Sequence, residues 1–176
     1  PETDRIEVDG KVLSDRAEML YYVLHKPVGI ETTNATRAGQ KVVADLLPTN
    51  LRGKIFPVGR LDKDSGGLLL LTNDGPLAYR LTHPKFDHEK EYEVTVEQPL
   101  PMGALKKLEA GVMIDGSKTK PAAITRIGPT RFRIAITEGR NRQIRRMCQK
   151  VGSPVKTLTR IRIMTLSDAH LKPGAI

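Results

Sequence analysis

A run of four leucines at residues 68–71 follows directly on a polar cluster, in the stretch VGRLDKDSGGLLLLTNDG at residues 58–75. An apolar run of this length between turn-forming residues is typical of a β-strand. We therefore predict strands over residues 54–60 and 67–72, joined by a turn over residues 61–66. The turn places Asp62 and Lys63, with Arg60 just before them, at the start of an apolar strand. Connecting loops of this kind commonly hold the reacting groups of sheet proteins.

The remaining periodicity predicts more strands than helices. An alternating pattern with turn residues at its ends predicts strands at residues 5–13 (as a hairpin), 19–25, 89–97, 120–127, 131–137 and 154–166. Helical spacing and capping residues predict helices at residues 41–47, 76–81, 101–110 and 141–151, with Asp74 and Asn141 as caps of the second and the last. Because strands dominate and hairpins recur, we expect an α+β fold with a mixed, mainly antiparallel sheet.

The charge of the chain is concentrated in one segment. Of 29 Lys and Arg residues, 11 lie between residues 126 and 162, where the only acid is Glu138. A concentrated positive field on an otherwise near-neutral body indicates a polyanionic partner, most commonly a nucleic acid. The alternative is a solvated basic face that serves solubility, but such a face is expected to intersperse both signs of charge.

Two elements of this basic segment have mixed faces. In the last predicted helix, one face is apolar (Ile144, Met147, Cys148, Val151) and the other is basic (Arg142, Arg145, Arg146, Lys150). At 100° per residue, Arg145 lies on the shoulder of the apolar face, close enough to the core to meet a partner in a cleft. In the last strand, alternation puts Leu158 in a row of cations formed by Lys156, Arg160 and Arg162. Either Leu158 is an apolar wall against which a base can lie on a phosphate-binding surface, or the row is a strand face that neighbouring elements half cover.

Several classes of protein are disfavoured. Cys148 is the only cysteine, which excludes a disulfide framework and favours a reducing compartment, the cytoplasm; we interpret it as a small core residue. The four histidines do not stand at zinc-ligand spacings, so no metal site is expected. No apolar run approaches the length of a membrane span and no signal segment opens the chain, so no membrane association is expected. The initial proline suggests a processed or truncated chain.

Asp62 is the strongest candidate for chemistry. A free aspartate has a pKa near 3.9, so it is ionised at neutral pH and is a ready nucleophile. The alternative is an aspartate that caps a turn and pairs with an arginine at the surface. Ser65 has no assignable histidine base, and Asp62 and Asp64 would face opposite ways in an extended chain. Tyr92 shares the apolar face of its strand with Val94 and Val96, as either core or site.

The segment GRLDKDSGGLLLLTNDG at residues 59–75 closely resembles the signature of the RsuA-type ribosomal pseudouridine synthases. The likeness continues through HKPVG (25–29), HEKEYEVTV (88–96), EGRNRQIRRMC (138–148) and VKTLTRIRI (155–163), so it covers nearly the whole chain. Ser65 stands where the family usually has threonine. Because members generally begin with an S4 RNA-binding domain, residues 1–18 are expected to be the remnant of that domain and its linker, and residues 19–176 the catalytic domain with the pseudouridine synthase fold and a central cleft.

The resemblance implies a reaction and its residues. These enzymes isomerise uridine within RNA by breaking the C1′–N1 bond, turning the uracil and joining C5 to C1′, without a metal or diffusible cofactor. It implies that Asp62 is the catalytic aspartate, either attacking the nucleoside or assisting glycal formation, and that Arg145 pairs with it. It also implies that Tyr92 stacks on the uracil and that Leu158 packs against it.

The expected partner is RNA. The target base must leave its stack, and phosphate contacts offset that cost; the candidate contacts are Lys26, Arg60, Arg140, Arg142, Arg146, Arg160 and Arg162. Likeness to large-subunit members implies ribosomal RNA of the large subunit (23S) before the small, with transfer RNA as a second substrate left open, and a monomer is expected. The alternatives are a non-catalytic ribosome-assembly factor that binds ribosomal RNA and, more distantly, a nucleoside hydrolase that would release free uracil.

Overall fold

The computed structural model describes residues 6–9, 11–13, 18–33, 39–167 and 171–176 of the chain. Its strands are β1 (Ile6–Val8), β2 (Lys11–Leu13), β3 (Tyr21–Lys26), β4 (Phe56–Pro57), β5 (Gly66–Thr72), β6 (Lys90–Val96), β7 (Met113–Ile114), β8 (Ser117–Lys118), β9 (Ala123–Arg126), β10 (Arg131–Ile136), β11 (Val155–Ile163) and β12 (Leu166–Ser167). Its α-helices are α1 (Gly75–Thr82), α2 (Ala104–Ala110) and α3 (Gln143–Lys150), and short 3-10 helices cover Val43–Leu46 and Pro84–Phe86. No helix within these ranges is both long enough and apolar enough to cross a membrane.

Eight strands form one mixed sheet in the order β3-β5-β11-β6-β10-β9, with β4 added to β5 and β12 added to β11. Among the described strands only β5 and β11 pair in parallel, and the other neighbours are antiparallel. The pairs β1–β2 and β7–β8 are separate hairpins. The predicted α+β fold with a mainly antiparallel sheet is therefore confirmed.

The leucine run forms the strand β5, as predicted, and its side chains are buried on both faces except for Leu70, which is partly exposed. Leu68, Leu69 and Leu71 have no exposed surface, because β5 lies between β3 and β11. The side chains of Leu69 and Leu71 pack in a cluster with β3 and residues 43–55, while a second cluster fills the space between β6, β10, α2 and α3. The strand that follows the Asp62 turn is thus a rigid base for that turn.

Gly67 allows β5 and β11 to approach each other closely. Its φ of +101° lies in the left-handed region, and an added Cβ would stand 2.1 Å from the carbonyl oxygen of Arg160. Only glycine meets both conditions, since it has no Cβ and tolerates positive φ. The glycine pair in the signature therefore fixes the distance between the Asp62 turn and β11.

The start of α3 differs from the prediction. The residue that caps the helix is Arg142, in the left-handed region with φ 50°, and no side chain caps it; Asn141 lies outside the helix. The Gln143 side chain accepts a hydrogen bond from the backbone N–H of Arg140 at 2.9 Å instead. The apolar face is as predicted, with Ile144, Met147 and Cys148 buried. The left-handed turn directs the Arg142 side chain to the turn before β5.

Two predicted strands need correction in length, and one hairpin was missed. The strand predicted over residues 54–60 pairs only at Phe56–Pro57, because the following residues form the Asp62 turn. The strand predicted over residues 154–166 ends at Ile163 and reverses at Met164, whose φ is 51°, into β12. The β7–β8 hairpin was not predicted, since two-residue strands are too short for alternation to be visible.

Candidate active site

The turn that carries Asp62 is held by backbone and hydroxyl contacts from both sides. Ser65 N–H donates to the Asp62 carbonyl at 3.0 Å, which closes the turn, and Gly29 N–H donates to the Lys63 carbonyl at 2.7 Å. The buried hydroxyl of Thr32 donates to the Leu61 carbonyl at 2.9 Å and accepts from Leu61 N–H at 3.3 Å. The position of the Asp62 side chain is therefore set by the fold rather than by its own contacts.

A cavity of about 280 Å³, here called the Asp62 cavity, opens beside this turn. Three of the four residues predicted to be catalytic line it: Asp62, Tyr92 and Leu158. Tyr92 is 9% exposed and Leu158 is 6% exposed, so both belong to the core cluster and to the cavity wall. The site thus combines a half-open carboxylate with an aromatic and an aliphatic wall, which suits a flat base held beside an anion.

Asp62 and Asp64 converge on one arginine. Arg142 binds Asp64 with two hydrogen bonds, of 3.0 and 2.7 Å, and its Nη1 lies 3.8 Å from Oδ2 of Asp62. The expectation that the two carboxylates would face opposite ways is wrong, because the chain turns between them rather than extending. Hydrogen bonding from Arg142 holds the pKa of Asp64 below its ordinary value.

The carboxylates of Asp62 and Asp64 differ in how many hydrogen bonds and ion pairs they form with the protein. Asp64 is bound by the fork of Arg142 and lies 3.2 Å from Nε of Arg145. Asp62 has only the longer contact with Arg142, and no residue in the described part of the chain donates a hydrogen bond to its carboxylate. Its side chain is 37% exposed and lines the cavity. Asp62 is therefore the carboxylate that is available to a ligand.

The expected pairing of Arg145 with Asp62 is not what the structure shows. Arg145 donates from Nη2 to the Asp64 carbonyl at 2.6 Å and to the Ser65 hydroxyl at 3.4 Å, and its ion pair is with Asp64. Its guanidinium is held by the backbone of the turn. Arg145 thus fixes the turn from behind, while Arg142 supplies the cation that faces both carboxylates.

Lys26, predicted to contact RNA, is fully buried. Its ammonium group donates to the carbonyls of Ile30 at 2.7 Å and Pro27 at 3.0 Å, and burial lowers its pKa from 10.5 to about 8. The prediction is wrong because a lysine at a strand end was counted as a surface charge. In the structure it stabilises the turn after β3, which in turn contacts Lys63 through Gly29.

Three further cations of the predicted RNA surface are bound within the protein. Arg140 donates to carbonyls of the β7–β8 hairpin at Ser117 (3.2 Å) and Lys118 (2.8 Å). Arg162 binds Glu89 and Glu91, and Arg146 binds Asp115. These acids stand far away in sequence, so the pattern of the basic segment alone did not reveal them. Arg146, 32% exposed, still reaches the surface.

The other three predicted contacts differ in exposure. Arg60 is exposed and lies at the rim of the Asp62 cavity. Arg160 is 3% exposed, so it lies below the surface rather than on it; its Nε donates to the Leu68 carbonyl at 2.8 Å. With Arg142, 44% exposed, Arg60 is the predicted cation best placed to meet a polyanion at this cavity.

Two functional residues were missed by sequence reasoning. Asp64 was interpreted as a turn former, yet it orders Arg142 and Arg145. Glu138 binds the side chains of Arg140 and Gln143 and the backbone N–H of Lys120, and thereby shapes the segment along the cavity. The signal for Glu138 was present, because it is the single acid in the basic segment.

The sole cysteine has no part in the site. Cys148 has no exposed surface, and burial raises the pKa of its thiol from 9.0 to about 12, so the prediction that it is a core residue is confirmed. Within the described ranges, no group of three or more His, Cys, Asp or Glu residues is arranged to hold a metal ion.

Comparison with known proteins gives consistent matches. Residues 20–150 match the model of the family described as RNA pseudouridylate synthase. A dual-specificity RNA pseudouridine synthase, RluF, of Escherichia coli K12 is 42% identical over 173 residues, 97% of this chain and 59% of that protein. Ribosomal large subunit pseudouridine synthase B of Bacillus subtilis is 40% identical over 98% of this chain and 72% of its own length.

A solved structure agrees with these matches. A crystal structure of a pseudouridylate synthase superposes with a TM-score of 0.83 at 32% identity, covering 99% of this chain and 76% of the other. The chain thus spans about three fifths of the Escherichia coli relative and about three quarters of this structure.

Proposed function

Because the chain belongs to the RNA pseudouridylate synthase family, we propose that it converts specific uridines of ribosomal RNA to pseudouridine, with Asp62 as the catalytic aspartate. The observation that carries the proposal is the open carboxylate of Asp62 beside the ring of Tyr92 in one cavity. Asp64 is already bound by Arg142, so Asp62 is the group left to meet the nucleoside.

The proposed reaction needs only this chain's own residues. The target uridine leaves its stack at a cost on the order of a few kcal/mol and enters the Asp62 cavity. There the uracil lies against Tyr92 and Leu158, while the Asp62 carboxylate faces the sugar. The C1′–N1 bond breaks, the uracil turns, C5 bonds to C1′, the hydrogen of C5 leaves to solvent and N1 gains a proton. Asp62 acts either by bonding to C1′ or by removing a sugar proton to form a glycal.

Arg142 and Arg145 position this carboxylate rather than react. Arg145 fixes the turn through the Asp64 carbonyl, and Arg142 keeps a cation 3.8 Å from the Asp62 carboxylate. Arg60 and Arg142 at the cavity rim meet the RNA phosphates, and Arg146 extends this surface. The proposal assigns no RNA contact to Lys26, Arg140 or Arg162.

The substrate class and the setting of the enzyme are part of the same proposal. The name of the Bacillus subtilis relative supports the large-subunit RNA as substrate. We also propose a monomeric enzyme, and a cytoplasmic one, since its single cysteine is a free thiol, as is usual in a reducing compartment. The division into an S4 remnant at residues 1–18 and a catalytic domain at residues 19–176 stays a prediction, as does transfer RNA as a second substrate.

Mapping of pseudouridine at nucleotide resolution tests the proposal. Ribosomal RNA is compared from cells that carry the full-length wild-type gene, no gene, Asp62→Asn or Asp45→Asn. We expect at least one pseudouridine that needs the gene, is lost with Asp62→Asn and is retained with Asp45→Asn. Asp45 is the matched control, because it is exposed and accepts a hydrogen bond from Val42 N–H that asparagine can also accept.

The outcome also separates the alternatives. Purified Asp62→Asn should bind ribosomal RNA as the wild type does, because the change leaves the cations in place. If the wild type binds RNA yet no pseudouridine depends on the gene, the protein is an assembly factor and the proposal fails. Release of free uracil would indicate a hydrolase.

A further inference from the structure

A second cavity, of about 570 Å³, adjoins the first and is here called the Arg160 cavity. The two share four lining residues: Arg60, Tyr92, Gly139 and Arg140. Tyr92 therefore stands between them, with the uracil position on one side. A strand of RNA that places one nucleotide in the Asp62 cavity brings its neighbour to the Arg160 cavity.

Arg160 carries a buried charge that the protein does not compensate. It is 3% exposed and lines the cavity, and its Nε donates to the Leu68 carbonyl. Its Nη2 is buried without a hydrogen-bond partner, and no acid in the described part of the chain forms an ion pair with it. A buried cation without a counter-ion is costly, so the arrangement calls for an anion from outside the chain.

Lys90 adds a second cation to the same cavity. Its Nζ donates to the carbonyl of His88 at 3.1 Å, and none of the described acids pairs with it. Burial, and after it the positive charge of Arg160, lowers the pKa of Lys90 below its ordinary value. The two groups therefore repel each other, and an anion between them would relieve both.

The acids in the wall of the Arg160 cavity are already bound. Asp87 pairs with Lys120 at 2.6 Å, and Glu138 pairs with Arg140 at 3.3 Å. Neither carboxylate forms an ion pair with Arg160 or Lys90; the charge of Asp87 offsets only part of the effect of burial and of Arg160 on the pKa of Lys90. The unbalanced charge of the cavity is thus positive, which selects an anion over a cation.

An aromatic cluster adjoins the cavity on the side of α1. His83 and His88 line it, Phe86 stacks on His88 with ring centres 5.9 Å apart, and Tyr79 packs on His83 at 4.9 Å. Lys85 lies over the ring of Phe86 at 4.7 Å. Aromatic rings beside a cationic groove are a common platform for unpaired bases.

We propose that the Arg160 cavity binds the nucleotide next to the target uridine, with its phosphate at Arg160 and Lys90 and its base on the His83–His88 side. This inference rests on the proposed function, because it takes RNA as the ligand. It adds a positioning site that would hold the RNA strand in place while Tyr92 separates the flanking base from the target base.

Lys90→Met is the sharpest variant. Arg160→Gln would also remove the hydrogen bond to Leu68, so a loss of fold would obscure its result. Lys90→Met removes a desolvated charge beside Arg160, and we expect its thermal midpoint to equal or exceed that of the wild type. The matched control is Lys106→Met, since Lys106 is exposed on α2 and lines neither cavity.

The experiment replaces phosphates by neutral methylphosphonates, one at a time, in the ribosomal RNA fragment that the full-length protein binds. Dissociation constants are measured for wild type, Lys90→Met and Lys106→Met. We expect one methylphosphonate beside the target uridine to weaken wild-type and Lys106→Met binding about tenfold, and to weaken Lys90→Met binding clearly less, because only Arg160 still faces that phosphate in this variant.

The inference would be overturned if every methylphosphonate weakened the binding of Lys90→Met by the same factor as the binding of the wild type. Coupling here means that the effect of one methylphosphonate depends on Lys90. Pseudouridine formation by the wild type without such coupling would leave the proposed function standing and reject this site. Coupling at one phosphate without pseudouridine formation would have the opposite meaning: the nucleotide site stands and the proposed function fails.

Discussion

At the scale of single residues, the site depends on the difference between two aspartates two positions apart. Asp64 is bound by the Arg142 fork, whereas the Asp62 carboxylate has only a contact of 3.8 Å with the same guanidinium. A fork–fork pair with arginine is the strongest geometry for a carboxylate, so it retains Asp64 as a structural group. The division of roles between these two residues follows from hydrogen bonding, not from their chemical type.

Lys26 gives a pH-dependent prediction. Its pKa falls from 10.5 to about 8 on folding, so between these values the unfolded chain binds more protons and stability rises with pH. We expect the wild type to gain about 1 to 3 kcal/mol relative to Lys26→Met between these pH values. Urea unfolding near both values measures it.

The control for Lys26 is Lys54→Met, which removes an exposed lysine. Its stability should follow the wild type across the same pH range. Equal pH slopes for the wild type and Lys26→Met would show that Lys26 is not desolvated, and would restore it as a candidate RNA contact.

The residues predicted from sequence were those that periodicity can locate. Alternation found Tyr92, and helical spacing found the apolar face of α3, since both depend only on neighbours in the chain. The Leu158–Arg160 row is real, but its burial depends on β5 and β6. The ion pairs of Arg142, Arg146 and Arg162 join residues 31 to 78 positions apart, which no local pattern contains.

At the scale of elements, the close pairing of β5 with β11 holds the two cavities together. Gly67 lies against the backbone of Arg160, and the Arg160 side chain reaches back to Leu68. The start of β5 therefore positions both the Asp62 turn and the cation of the second cavity.

Gly67→Ala should be severely destabilising. The new Cβ would stand 2.1 Å from the Arg160 carbonyl oxygen, so the strands must separate or the positive φ must be lost. We expect a loss of about 3 kcal/mol or more in the free energy of unfolding, measured with denaturant. Gly128→Ala is the control, with no atom within 4 Å of its added Cβ, and should cost less than about 0.5 kcal/mol. Equal losses in both variants would show that the strand contact is unimportant.

The start of a helix could be predicted where a capping side chain marked it. Asp74 caps α1 by accepting from Leu77 N–H at 2.9 Å, as its position before a proline predicted. Asn141 is also a residue type that caps helices, but the prediction that it caps α3 is wrong, because Arg142 adopts a left-handed conformation that places Asn141 outside the helix. A capping residue shows that a helix can begin, but the turn before it decides where it does.

At the scale of the whole molecule, many cations of the basic segment at residues 126–162 are bound inside the protein, which the sequence pattern did not show. Its cations contribute to a net charge of +9, yet several of them bind acids or carbonyls of the protein. Within the described residues, Arg160 of this segment forms no ion pair and lines the Arg160 cavity, where Arg60 and Lys90, from outside the segment, also lie. Net charge thus predicted the class of partner, whereas the fold decides which cations can meet it.

The most direct test of this account compares Asp62→Asn with Asp64→Asn. Single-turnover release of hydrogen from C5 of the target uridine is followed with the full-length protein and its RNA. The account predicts a loss of at least roughly a thousandfold for Asp62→Asn. Asp64→Asn should keep measurable activity and lose stability on the order of 1 kcal/mol, because its pair with Arg142 is half exposed. Wild-type rates for Asp62→Asn, or equal loss in both variants, would contradict it.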